Sequence, residues 1–254
     1  AYLKLDSALE DQGELLQQKL ISERIEKQKG QKLPSVRRKW KQSNGEWEFL
    51  LHLEQKAKSE YQFHYRMQDL VSLHISAKTN MLTVIGGMPG TGKSQLAKLY
   101  GMALGLQEGK NMLMVPISPG YHEPNDLLGY LNPNTGVYNE SETGLVSLLL
   151  DAENNPDELY MVIFDEMNLS QAEHWFSPFL SLLELEAESR SLTLFNKNAD
   201  LKASKYKSKV KVGDNLIFIG TVNYDETTKV FSDRLLDRTN VIMPEKISFR
   251  ESAS

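Results

Sequence analysis

One stretch constrains what this chain can fold into more than any other: Gly87-Met-Pro-Gly-Thr-Gly-Lys-Ser94, directly behind the apolar run Met-Leu-Thr-Val-Ile at residues 81–85. It satisfies the pattern G-x-x-x-x-G-K-[ST] at every required position, and a helix-like run begins at Gln95. Glycines at 87, 90 and 92 let the backbone curl tightly, so that successive N–H groups turn inward toward phosphate oxygens. The following helix aims its positive end at the same anion. Gly87, Pro89, Gly90, Thr91, Gly92, Lys93, Ser94 and Gln95 are therefore the candidate nucleotide-binding residues. Lys93 would reach the β- and γ-phosphates, and the Ser94 hydroxyl would ligate Mg²⁺. The bland alternative is a glycine-rich turn with a chance Lys-Ser, and the intact flanks on both sides weigh against it. The motif predicts a chain that binds a nucleoside triphosphate.

A second anchor is Leu159-Tyr-Met-Val-Ile-Phe-Asp-Glu166. A continuous apolar run of β-type residues ending in two acids is what a buried parallel strand delivers to its carboxyl edge, where a phosphate loop also sits. There Asp165 would hold the metal ion and Glu166 would take the proton from an attacking water. Many strands end in acids; this pair gains its meaning from following a complete phosphate loop. A third buried strand, residues 215–220, ends in Thr221-Val-Asn223, and Asn223 beside the acids could hydrogen-bond the attacking water or the γ-phosphate.

Composition removes several classes of function. The 254 residues contain no cysteine, so neither a disulfide framework nor a thiolate metal site can exist. A net charge of −5 argues against coating nucleic acid with the whole surface and leaves a local basic face open. No apolar run is long enough to span a membrane, no signal pattern opens the chain, and a cytoplasmic location is expected. The missing initiator Met and the abrupt ending read as a partial or processed chain.

In chain order, Leu5, Leu9, Leu16, Leu20, Ile21 and Ile25 form an apolar stripe that predicts an amphipathic helix over residues 1–30. Gly30 and Pro34 end it. A basic cluster follows (Lys27, Lys29, Lys32, Arg37, Arg38, Lys39, Lys41, with Trp40), either a solvated charge run or a nucleic-acid grip. Residues 47–64 resume a helical pattern, and Phe63, Met67, Leu70, Val71 and Ile75 mark a helix leading into the nucleotide domain. Residues 112–117 read as a strand, 121–143 as loop, 145–152 as a helix and 172–186 as one continuous helix. Residues 191–195 and 206–212 alternate as hairpin strands do. Lys197, Lys202, Lys205, Lys207, Lys209 and Lys211 there are either a solvated edge or a surface for a partner or a translocated strand. Residues 231–238 look helical, 240–243 form a short strand, and Arg234 and Arg238 are candidates for a finger acting on a neighbour's nucleotide.

This order of elements resembles the AAA+ motors and, more narrowly, their McrB-type branch, the nucleotide-driven motor of modification-dependent restriction systems. The resemblance covers about residues 61–245. Its carriers are Leu73-His-Ile-Ser-Ala-Lys78, Asp126-Leu-Leu-Gly-Tyr130, Phe164-Asp-Glu-Met-Asn-Leu169, Phe179-Leu-Ser-Leu-Leu-Glu184, Gly220-Thr-Val-Asn-Tyr-Asp-Glu-Thr-Thr228 and Leu236-Asp-Arg-Thr-Asn-Val-Ile242. It implies Lys93, Ser94, Asp165 and Glu166 in the roles above, Asn223 as the first sensor, and Arg238 as the trans-acting arginine with Arg234 as fallback. It also implies a ring, commonly hexameric, that does mechanical work for a nuclease or other effector. The sequence departs from the pattern in lacking the helical lid and in an N-terminal region that matches no DNA-reading module.

The expectation is thus a doubly wound parallel five-stranded α/β nucleoside triphosphatase core over residues 61–254, with an N-terminal helical region over 1–60 and no C-terminal lid. It would hydrolyse ATP or GTP with Mg²⁺ as the oligomeric motor of a prokaryotic restriction or antiviral defence complex, with DNA reached through the complex and no membrane involved. A protein-remodelling ATPase and a nucleotide-gated scaffold without a DNA role are the alternatives. The scaffold has little use for the acid pair.

Overall fold

In the computed structural model, residues 45–197, 202, 205–224 and 231–244 are described. They all fall within one unit of the chain, residues 36–254. The helix expected over 1–30 and the basic cluster at 27–41 lie outside the described residues.

Five apolar runs form one parallel sheet: β1 (Leu82–Gly87), β2 (Met112–Pro116), β5 (Tyr160–Asp165), β8 (Leu216–Asn223) and β9 (Asn240–Ile242). The strand order is β2-β5-β8-β1-β9, so β8 lies between the strand that precedes the phosphate loop and the strand that ends in the two acids. Gly87 is level with Asn223 and Phe164 with Gly220, which brings the carboxyl ends of β1, β5 and β8 to a common edge.

Side chains alternate along each strand and feed two different cores. On one face Ile85, Met161, Ile163, Ile217 and Ile219 pack against α1 (Glu46–Tyr61), α2 (Met67–Thr79) and α3 (Lys93–Ala103). On the other, Leu82, Val84, Val162, Phe164, Leu216 and Phe218 pack against α4 (Pro124–Leu128), α5 (Leu145–Asn154), α6 (Ala172–Trp175) and α7 (Ser177–Leu182). Helices on both faces of a parallel sheet make the fold doubly wound, as expected. Helix α1, which begins inside the region expected to be an appendage, buries Leu50, Leu53 and Ala57 in the same core as α2 and α3.

Two stretches differ from expectation. Residues 121–143 are not plain loop: Glu123 and Asp126 form a capping box that starts α4, and a hairpin follows from β3 (Gly129–Asn132) and β4 (Val137–Glu140). The Asn, Pro and Gly residues there supply its turn, with the Asn132 side chain accepting from the backbone of Asn134 and Thr135. The single helix expected over 172–186 is two short ones, because Pro178 cannot continue the hydrogen-bond ladder and instead opens α7. The second hairpin is present as expected, β6 (Ser191–Thr193) antiparallel to β7 (Lys209–Lys211), with Leu192 and Val210 buried beneath it. A short helix α8 (Asp233–Leu236), capped by the Ser232 hydroxyl, precedes β9.

Candidate functional site

The phosphate loop leaves the end of β1 and closes at the start of α3. Gly90 and Gly92 have φ of 76° and 82°, the left-handed region that side-chain-bearing residues avoid. A Cβ at Gly92 would also lie 3.0 Å from the Tyr65 hydroxyl and 3.1 Å from the Phe63 ring. That hydroxyl donates to the Gly92 carbonyl at 3.1 Å, so the segment between α1 and α2 supports the loop from below. Burial pushes the Tyr65 phenol up from its ordinary pKa, which keeps it a proton donor.

Lys93 is buried, and its ammonium donates to the carbonyls of Gly87 at 3.0 Å and Met88 at 2.7 Å. It therefore sits in the curl of the loop, where a phosphate would take over those donors. Thr91 closes the turn by donating to the Met88 carbonyl at 2.9 Å. Pro89 and Gly90 are exposed at the tip, while Gln95 is half-buried in the first turn of α3.

Across from the loop, the Ser94 hydroxyl donates to Asp165 Oδ1 at 2.5 Å. A hydroxyl and a carboxylate in contact are a hard-oxygen donor pair of the kind Mg²⁺ takes when it keeps waters and binds phosphate oxygens as well. Among the described residues there is no cluster of three or more acidic or histidine side chains that could hold a metal by themselves. Glu166, just past the end of β5, adopts φ of 54°, in the left-handed region. The Asn223 amide donates to Glu166 Oε1 at 3.2 Å.

Two residues singled out by no sequence argument complete the arrangement. Thr221, fully buried, donates to Asp165 Oδ1 at 2.6 Å and accepts from the Glu166 N–H at 2.9 Å. Asn168, also buried, grips the Asn223 backbone from both sides, donating to its carbonyl at 2.7 Å and accepting from its N–H at 3.2 Å. The signal that could have flagged Thr221 is its spacing: two residues before Asn223 on a strand, it shares that residue's face.

Lys93, Ser94, Asp165, Glu166 and Asn223 are thus brought to one sheet edge. Arg238 is elsewhere. Its guanidinium pairs with Glu184 and donates to the Arg234 carbonyl at 2.5 Å, while Arg234 itself is exposed. Neither arginine touches the phosphate loop in the described contacts.

Residues 83–239 match the AAA domain of the dynein-related subfamily. This covers more than half of the sequence, and the chain belongs to that family: it carries an AAA+ P-loop ATPase domain, a nucleotide-binding class. Among solved structures it resembles the closed state of Hsp104 with ATPγS and FITC-casein, at a TM-score of 0.51 and 20% identity, over 82% of this chain and 38% of that one. At that identity the likeness is one of fold, and this chain spans well under half the length of the Hsp104 chain. No curated protein matches. No helix among the described residues is long and apolar enough to cross a membrane.

Proposed function

We propose that this protein is a Mg²⁺-dependent nucleoside triphosphatase that works as a ring-forming motor of a prokaryotic restriction or antiviral defence complex. The observation that carries the hydrolytic reading is the meeting of Lys93, Ser94, Asp165, Glu166 and Asn223 at the ends of three adjacent parallel strands. Lys93 and the loop N–H groups bind the phosphates. Ser94 and Asp165 would hold Mg²⁺, which when bound neutralises charge on the β- and γ-oxygens. Glu166 takes the proton of the attacking water, and Asn223, hydrogen-bonded to it, keeps the carboxylate oriented toward that water.

The ring and the shared site rest on the family and on Arg238. Arg238 pairs with Glu184 here and would have to leave it to act on a neighbour's nucleotide. The narrower defence role rests on the resemblance of Asp165-Glu-Met-Asn168 and Asn223-Tyr-Asp-Glu-Thr-Thr228 to the McrB-type branch, with a nuclease or other effector as partner and ATP or GTP as fuel. Residues 225–230 lie outside the described residues. Protein remodelling is the second reading, and the fold likeness to Hsp104, solved with FITC-casein, is the observation on its side.

The test is phosphate release per subunit against protein concentration, with ATP and GTP in parallel and with or without DNA. A specific rate that rises with concentration and collapses in Arg238→Ala is expected, and a DNA-dependent rate favours the restriction role over remodelling. Full turnover by Arg238→Ala at every concentration would remove the shared site.

A further inference from the structure

We infer that Thr221 is a positioning residue that sets both strand-end acids for catalysis, acting through Asp165 and Glu166 rather than on the nucleotide. The inference rests on the reading of those two acids proposed above.

Three consecutive residues are held by this one threonine. Its hydroxyl donates to Asp165 Oδ1 at 2.6 Å, its oxygen accepts from the Glu166 N–H at 2.9 Å, and its carbonyl accepts from the Met167 N–H at 2.7 Å. The hydroxyl has one proton to give and two lone pairs, so giving and accepting at once uses it in both directions. The side chain is 1% exposed, in a strand whose neighbours are Ile219, Gly220 and Val222. Packing alone would be met there by valine, which has the same shape and no polar atom to desolvate. A buried hydroxyl at such a position is tolerated because it is fully partnered, and its partners are the two acids.

The backbone of Glu166 supplies the second observation. At φ of 54° it occupies the left-handed region, which a residue with a side chain holds only when its surroundings over-determine it. The hydrogen bond from the Glu166 N–H to Thr221 and the one from Met167 to the Thr221 carbonyl bracket that peptide on both sides. Meanwhile Ser94 and Thr221 converge on the same oxygen of Asp165, at 2.5 and 2.6 Å. This fixes the carboxylate about Oδ1. One side chain therefore couples the metal-holding acid to the orientation of the base.

The experiment compares wild type, Thr221→Val, Thr221→Ser and Glu166→Gln in the full-length protein, each checked for an unchanged melting temperature. Affinity for a fluorescent ATP or GTP analogue is titrated with Mg²⁺ and with EDTA, and steady-state kcat and KM are measured alongside. Residues that orient metal-holding side chains contribute about 10–100-fold to metal affinity or activity, so Thr221→Val is expected to lose the Mg²⁺-dependent part of binding and to lower kcat by such a factor. Its affinity in EDTA is expected to stay within about twofold of wild type, because the loop and Lys93 are untouched, and Thr221→Ser is expected to stay within about threefold in every measure because the hydroxyl is kept. If Thr221→Val does not fold, Thr221→Ala carries the same comparison.

Wild-type Mg²⁺ dependence and kcat in Thr221→Val, with Glu166→Gln inactive, would overturn the inference while leaving the proposed base intact. A Thr221→Ser as defective as Thr221→Val would also overturn it, since the hydroxyl would not be the cause. Normal turnover by Glu166→Gln would instead defeat the reading of the base, and the inference with it.

Discussion

Glu166 and Gly92 carry the sharpest constraints at the scale of single residues. Both occupy the left-handed region, one with a side chain and one without. Glycine at 92 is required twice over, by φ of 82° and by the aromatic pair Phe63 and Tyr65 packed where a Cβ would lie. Gly92→Ala is expected to cost about 1–3 kcal/mol in strain and to weaken nucleotide binding at least tenfold, read by thermal melting and by fluorescent-nucleotide titration. The motif made the loop and the acids legible at this scale, because phosphate binding dictates residue types at fixed spacing. Thr221 and Asn168 were not legible: each acts on residues 55 or 56 positions away, and no local pattern encodes such a pairing. Arg238 was legible as a candidate finger by its resemblance. Its pairing with Glu184 was not, since 54 residues separate them.

At the scale of elements, the strand that delivers the acids is held by an aromatic cluster. Phe164, the residue before Asp165, is fully buried against Trp175, Phe176, Phe179 and Phe218, with ring centroids 5.3 to 6.4 Å apart. Phe164→Ala is expected to cost about 3–5 kcal/mol, a large share of a typical domain's stability, seen as a lower denaturation midpoint. On the opposite face His74 of α2 sits among Phe49 and Tyr100, its Nδ1 3.1 Å from the Tyr100 hydroxyl. Burial holds its pKa below the ordinary 6.5, with Lys78 adding to the fall and Glu46 opposing it. The unfolded chain therefore binds this proton more readily than the folded one. The stability that neutral His74 contributes is present above about pH 6.5 and is lost as pH falls further. Urea midpoints at pH 7.5 and 5.5 should differ more in wild type than in His74→Gln.

Elements with a strong period were readable, and those built by turn chemistry were less so. The strands β1, β2, β5 and β8 are continuous apolar runs and stood out. The β3–β4 hairpin did not, because its inward residues Leu131 and Tyr138 are few and its polar turn dominates the stretch. That hairpin is fastened to the second one by contacts no sequence pattern encodes. Tyr206 packs against Tyr138 with the rings tilted and their centroids 4.7 Å apart, and it donates to Glu140 at 3.0 Å; the same Glu140 accepts from the Ser147 N–H and hydroxyl at the start of α5. Of the lysine row, Lys207 pairs with Glu153 and Lys205 donates to Ser147, so part of it serves to pin the hairpin to α5.

At the scale of the whole molecule, the sheet order does the assembling. Because β8 is inserted between β1 and β5, motifs from three separated segments of the sequence share one carboxyl edge. Open α/β sheets place ligands at that edge, which is why fold and proposed chemistry agree. The order β2-β5-β8-β1-β9 was not legible in the sequence, since parallel pairing leaves no local signature in an apolar run. Among the described contacts Arg238 pairs with Glu184 rather than with the phosphate loop, and in the proposed cycle it would act on a neighbouring copy's nucleotide.

In the proposed function Glu166 activates water at a nucleotide site assembled by the loop and the strand ends. The most direct test is one paired measurement on Glu166→Gln: fluorescent-nucleotide affinity and steady-state phosphate release, each relative to wild type. Affinity is expected to stay within about threefold, and turnover to fall by about 10²–10⁴, the usual contribution of a positioned general base. Turnover near wild type with nucleotide bound normally would contradict that role.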